Sequence, residues 1–123
     1  MPPSVRAAFE AELDRAHTTT DVDAMWHALE RAHILSQAWA WPHTRAHWHM
    51  LRLAVRCRDR TEALGQMVRL LLAGLGSMLD RAPLGNTGRT AVGITTRMPT
   101  PEDLARILAA GREEASLSPS RRQ

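Results

Sequence analysis

Between Val5 and Leu72 the apolar residues return every three or four positions and the pattern breaks three times, which predicts four helices. Val5, Ala8, Phe9, Leu13 and Ala16 share one face of a helix over residues 4–17, with Ser4 at its N-cap and His17 in its last turn. The run Thr18-Thr19-Thr20 ends it. Thr20 is then expected to cap a second helix, with Asp23 three residues on as the acid of a capping box. Ala24, Met25, Ala28, Leu29, Ala32 and Leu35 form an apolar arc on that helix wide enough to meet two neighbours. Pro42 suits the first turn of a third helix over about 43–58, where its missing N–H has no intrahelical acceptor to lose. Asp59 is placed to cap a fourth, again with an acid, Glu62, at the third position. Leu64, Met67, Val68, Leu70, Leu71 and Leu72 carry that helix to Gly74 and Gly76.

The two halves of this region repeat. The first helix superposes on the third at an offset of thirty-eight residues, pairing Leu13 with Leu51 and Ala16 with Ala54. Tandem helical hairpins with a period near 34 resemble the tetratricopeptide pattern, a longer connection between second and third helices accounting for the excess. After Gly76 the chain becomes rich in glycine, through Pro83-Leu84-Gly85-Asn86-Thr87-Gly88 and on to Gly93-Ile94, and predicts an ordered loop folded back over the bundle. A short final helix follows, with Thr100 as cap, Pro101 at its first position and an end near Ala110. The expected fold is all-α: two tetratricopeptide-like hairpins, the loop and a C-terminal helix. It makes one domain over residues 1–110 and a flexible tail over 111–123.

The third helix carries imidazoles where hydrocarbon is expected. A step of 100° per residue puts His43, His47, Met50 and Ala54 within roughly 60° of one another, in the middle of the apolar face. Under the internal superposition His43 matches Val5 and His47 matches Phe9, so the scaffold itself does not demand histidine there. His33 lies at the edge of the second helix's apolar arc, one turn after Glu30. Buried imidazole nitrogens left unpaired cost on the order of 1–3 kcal/mol each, so the group needs hydrogen bonds, a metal or a chemical task.

Composition narrows the setting more than the task. The chain has 123 residues and one cysteine, Cys57, which favours a reducing cytoplasmic compartment and a core without disulfides. No apolar run is long enough to span a membrane, and the N-terminus lacks a secretory segment. The isoelectric point of about 10.8 comes from sixteen arginines and no lysine, yet the net charge is only +3, so nucleic acid is not expected as a partner. Arg45, Arg52 and Arg56 do form a basic stripe on the third helix, for which Glu10, Glu12 or Asp14 of a neighbouring helix are natural counter-ions.

Residues 24–37, Pro42-His43, His47-Trp48, Leu64-Gly65-Gln66, Pro83 to Gly88 and Pro101-Glu102-Asp103-Leu104 together resemble a bacterial family known as domain of unknown function 3703. The likeness runs over about residues 5 to 108. It implies a small helical bacterial protein and carries no reaction with it.

The chemistry therefore rests on the residues. His33, His43 and His47, with Glu30 as fourth ligand or as an acceptor behind them, suit Zn²⁺, Fe²⁺ or Cu²⁺. If the site is catalytic, Glu30, His33 and His47 are the groups to move protons, with Trp26, Trp48 and Asn86 lining the pocket for a small molecule. With a single Glu-x-x-His, a di-iron centre is not expected. The four tryptophans, Trp26, Trp39, Trp41 and Trp48, offer either an aromatic wall beside the histidines or packing anchors. Met50, Met67 and Met78 read as core, and His17, His27 and His49 as surface. The competing reading is a protein-interaction module in which the histidines are polar core.

Overall fold

The computed structural model describes residues 1–76, 86–92 and 98–117, and the regular elements among them are all helices. They are α1 (Pro3–Thr18), α2 (Val22–Ser36), α3 (Ala40–Arg56), α4 (Arg60–Gly76) and α5 (Glu102–Leu117). α1 packs with α2 and α3 with α4 as hairpins, α2 joins the pairs by lying against α3, and α5 closes on α1 and α2. Met78, Pro83, Leu84, Gly85, Gly93, Ile94 and residues 118–123 of the expected tail lie outside the described residues.

The helix ends follow local chemistry, with several shifts from expectation. α1 begins at Pro3 with Pro2 as N-cap, so Ser4 lies inside the first turn and is no cap; its N–H donates to Glu114 Oε2 of α5 at 3.3 Å. α2 is capped by Asp21 rather than Thr20, and Asp21 Oδ1 accepts from the Asp23 N–H at 3.2 Å. A carboxylate at that place also gains from the positive end of the helix dipole, which a hydroxyl does not. α3 starts at Ala40, three residues before the expected position, because Pro42 is compatible with any place in a first turn.

α3 ends in a Schellman turn. The Asp59 N–H donates to Ala54 O at 2.9 Å and the Arg58 N–H to Val55 O at 3.0 Å, with Arg58 in the left-handed region at φ 57°. Asp59 then caps α4 as expected, its Oδ1 accepting from the Glu62 N–H at 2.9 Å. α5 begins at Glu102, with the Pro101 carbonyl accepting from the Ala105 N–H at 2.9 Å, and it continues past Ala110 to Leu117. Gly111 does not begin a flexible tail as the sequence suggests. It is instead buried inside α5, packed against Val5 of α1, where a small residue lets two helices approach.

The hydrocarbon core is built by three helices and capped by a fourth. Val5, Phe9 and Leu13 of α1, Ala28, Leu29, Ala32 and Leu35 of α2, and Ala46, Met50, Leu53 and Ala54 of α3 are buried, with Leu104 of α5 closing one side. Ion pairs bind the helices at the rim. Arg31 of α2 bonds Glu12 of α1 at 2.7 Å and also pairs with Asp103 of α5. Arg45 of α3 grips Glu10 of α1 through two hydrogen bonds of 2.6 and 3.0 Å. The basic stripe on α3 is thus partly neutralised, as expected, and Arg56 lies against Met25 Sδ.

α4 departs from the expected pattern. Of its side chains up to Leu71, the buried ones are Glu62, Gln66 and Arg69, whereas Leu64, Met67, Val68 and Leu71 are exposed. Met67 is therefore surface, not core. The polar face turns inward because residues 86–92 lie across it and supply its hydrogen-bond partners. Gly65 is required under that segment, since a methyl group there would collide with Thr90.

Candidate metal centre

α2 and α3 bring three imidazoles together. His33 and His47 are each 3% exposed, His43 is half-buried, and one donor nitrogen from each lies within 4.8 Å of the others. The ring centroids of His33, His43 and His47 are 4.5–4.8 Å apart in every pairing. The i, i+4 spacing on α3 stacks His43 over His47, and the α2–α3 packing carries His33 up to both.

The hydrogen bonds on the far sides of the rings decide where the protons are. His33 Nδ1 is 2.8 Å from the Asn86 carbonyl oxygen. A carbonyl only accepts, so Nδ1 carries the hydrogen and Nε2 is bare. His47 Nδ1 is 2.7 Å from Gln66 Oε1. The orientation of that amide is set on its other side, where Gln66 Nε2 donates at 2.8 Å to Glu62 Oε1 and at 2.8 Å to the Gly88 carbonyl. His47 is therefore also protonated at Nδ1, and its Nε2 is bare. The two proton-free Nε2 atoms face each other at 3.2 Å. His43 Nδ1 is buried with no hydrogen-bond partner among the described residues.

Burial keeps all three rings neutral. Desolvation is the leading cause for each: it pushes His43 and His47 down to about 4, and His33 well below the ordinary histidine range. Mutual repulsion lowers His33 and His43 further, and Arg69 adds to it. Neutral imidazoles with converging lone pairs are the form in which histidine binds metal. Zn–N bonds of about 2.0–2.1 Å at tetrahedral angles separate neighbouring donors by about 3.3–3.4 Å, close to the His33–His47 spacing.

Residues 86–92 hold the cluster from the α4 side. Gln37 Nε2 donates at 2.9 Å to the same Asn86 carbonyl that His33 uses. The Asn86 side chain accepts from the Gly88 N–H at 2.9 Å, bending the chain over the rings. Gly88 has φ 82°, and a Cβ there would lie 2.8 Å from His33 Cδ2, so glycine is required on both counts. The Thr90 N–H donates to both oxygens of Glu62 at 3.1 Å. Arg69 donates to the carbonyls of Arg89 and Val92 at 2.9 and 2.7 Å. The expected closing of the site by the Asn86 region is thus made by a main-chain carbonyl.

The other sequence candidates fall at different distances from the rings. Glu30 is outside the three-residue donor group; its carboxylate pairs with Arg89 at 3.6 Å, and burial raises its pKa. The Arg89 guanidinium carbon lies over the Trp26 ring, 3.9 Å from its centroid, and the same group pairs with Glu30 and Glu62. Trp26 is buried and Trp39 packs against the core, but Trp41 and Trp48 are exposed, so the tryptophans do not form one wall. His17 and His49 contact each other at 3.2 Å on a separate surface. Sequence reading missed Gln66, Glu62 and Arg89 as parts of the site. The available signal was that Glu62, Gln66 and Arg69 themselves recur at helical spacing, a polar face as regular as the apolar one.

Among the described residues no helix is long and apolar enough to cross a membrane. The family model described as protein of unknown function (DUF3703) matches residues 3–108, and the chain belongs to that family. No curated protein and no solved structure matches it.

Proposed function

Since the family comes without a function, we propose from the site alone that this protein binds one divalent transition-metal ion through His33, His43 and His47. The observation that carries the reading is the pair of proton-free Nε2 atoms of His33 and His47, 3.2 Å apart in a buried place. Two lone pairs so arranged repel unless a positive centre lies between them, and depressed pKa values leave no proton for that role at neutral pH. A three-imidazole donor set suits Zn²⁺, Fe²⁺ or Cu²⁺ and leaves a further position for water, a small ligand or a substrate. His43, the least buried of the three, marks the side of entry. Arg89 links Glu30 to Trp26, and in this reading that group is the wall beside the donor set. In a catalytic version of the site Glu30 and the histidines are the groups to exchange protons.

A second reading is a tetratricopeptide-like interaction module in which the histidines are polar core. The packing of two hairpins side by side favours it, as does the full satisfaction of the Nδ1 atoms of His33 and His47. Elemental analysis of untagged protein, with a His43→Ala/His47→Ala control, separates the two. About one metal per chain, lost in the control while helical circular dichroism persists, supports the centre. Absence of bound metal after anaerobic reconstitution with each of the three ions leaves the module.

A further inference from the structure

α4 turns its polar residues inward, so its apolar residues need another partner. Leu64, Met67, Val68 and Leu71 lie at i, i+3, i+4 and i+7, the spacing of a buried helix face, yet they are 43–70% exposed. The adjoining α3 has a second outward stripe. Trp41, Trp48 and Val55 follow one another at seven-residue intervals and are 53–73% exposed. With Thr44 and Leu51 between them, they read as the alternating positions of a heptad seam.

The two stripes lie on helices that pack as one hairpin, each stripe turned away from the core. On a helical wheel the α3 stripe is next to Leu51 and about 160° from the core-facing Met50. The α4 stripe is similarly opposite Glu62, Gln66 and Arg69, with Met67 at the edge nearer Ala63, which packs on the core. At ordinary side-chain areas these residues expose on the order of 800 Å², which is what a standard interface buries per partner and more than the largest apolar patch of most monomers.

We infer that this α3–α4 face docks against the same face of a second copy of the chain, forming a four-helix interface across a two-fold axis. Three features select a second copy. The patch is large enough for a stable dimer. The stripe residues themselves are uncharged, and Arg52 on α3 and Arg60 on α4 border them, where a contact keeps its charged rim. The α3 stripe has heptad spacing, which fits another helix. The histidine centre faces the other side of α3, so dimerisation leaves its ligands in place.

Sedimentation velocity of the full chain across the micromolar range tests this. The expected result is a concentration-dependent dimer whose dissociation constant rises roughly a hundredfold in Leu71→Glu and in Trp48→Glu, with helical circular dichroism unchanged. Both side chains are exposed in the single chain, so neither substitution removes a core contact. A wild-type chain that stays monomeric throughout overturns the inference. So does a monomer that co-sediments with phosphatidylglycerol vesicles, which assigns the face to lipid. A dimer insensitive to both substitutions overturns it as well, because the contact then lies elsewhere.

Discussion

The two hairpins use one scaffold with opposite interiors. In α1, Val5 and Phe9 are 0% and 1% exposed and pack as hydrocarbon; thirty-eight residues on, His43 and His47 take the corresponding places in α3. Ala16 and Ala54, also thirty-eight apart, are both buried, whereas Leu13 is buried and its counterpart Leu51 only half-buried, so the register is shared in part. The exchange does not stop at two residues. Once His47 replaces hydrocarbon, its Nδ1–H needs an acceptor, Gln66 supplies it, and Gln66 in turn needs Glu62 and Gly88. The inverted face of α4 is the consequence of placing imidazole in α3. A buried polar group recruits a chain of partners because each unpaired member costs on the order of 1–3 kcal/mol.

The most severe way to break the comparison is to place imidazole in the first hairpin, which has no such partners. Phe9→His is expected to lower stability by about 3–4 kcal/mol in urea denaturation, through lost packing and an unsatisfied ring. A loss under 1 kcal/mol would mean that either hairpin accepts histidine at this position.

Acid should attack the second hairpin selectively. The unfolded chain protonates His43 and His47 near the ordinary value of 6.5, while the folded chain resists until about 4. Between those limits the unfolded state binds more protons, so stability is complete above pH 6.5 and declines as pH falls towards 4. The expected drop is on the order of 3 kcal/mol for His47 alone. The double substitution His43→Val/His47→Phe, which copies the first hairpin, should flatten this limb.

Gln66→Leu removes the acceptor that fixes the His47 tautomer. Stability should fall by about 1–3 kcal/mol and metal affinity by roughly 10–100-fold, as measured by competition with a chelator. The smallest effect belongs to the turns. The first hairpin leaves α1 through Thr19 in an extended conformation, whereas the second leaves α3 through Arg58 at positive φ. Arg58→Gly should therefore stabilise the protein by about 1 kcal/mol, and Thr19→Gly should not.

The first four helices were legible because their apolar residues repeat at helical period, and the histidine pair was legible because it interrupts that period at a known register. The inversion of α4 was not. Leu64, Met67, Val68 and Leu71 form a regular apolar face and Glu62, Gln66 and Arg69 an equally regular polar one; which of the two is buried is decided by residues 86–92 and by His47. Gly111 misled for a related reason. Glycine serves equally as a helix terminator and as a small residue at a crossing, and only the approach of Val5 selects between them. Glu30 precedes His33 by one turn of α2, but the cation it pairs with, Arg89, comes from a loop whose position no helical wheel contains.

The most direct test is a titration of ¹⁵N-histidine-labelled protein with Zn²⁺, followed through the ring nitrogens. Before zinc, His33 and His47 should show protonated Nδ1 and bare Nε2. At one equivalent the Nε2 signals of both should move to metal-bound positions while Nδ1 stays protonated, and His43 should respond at the same stoichiometry. Ring nitrogens that do not shift on stoichiometric zinc, or Nε2 atoms already protonated in its absence, would contradict the account and leave the three histidines as a hydrogen-bonded polar core.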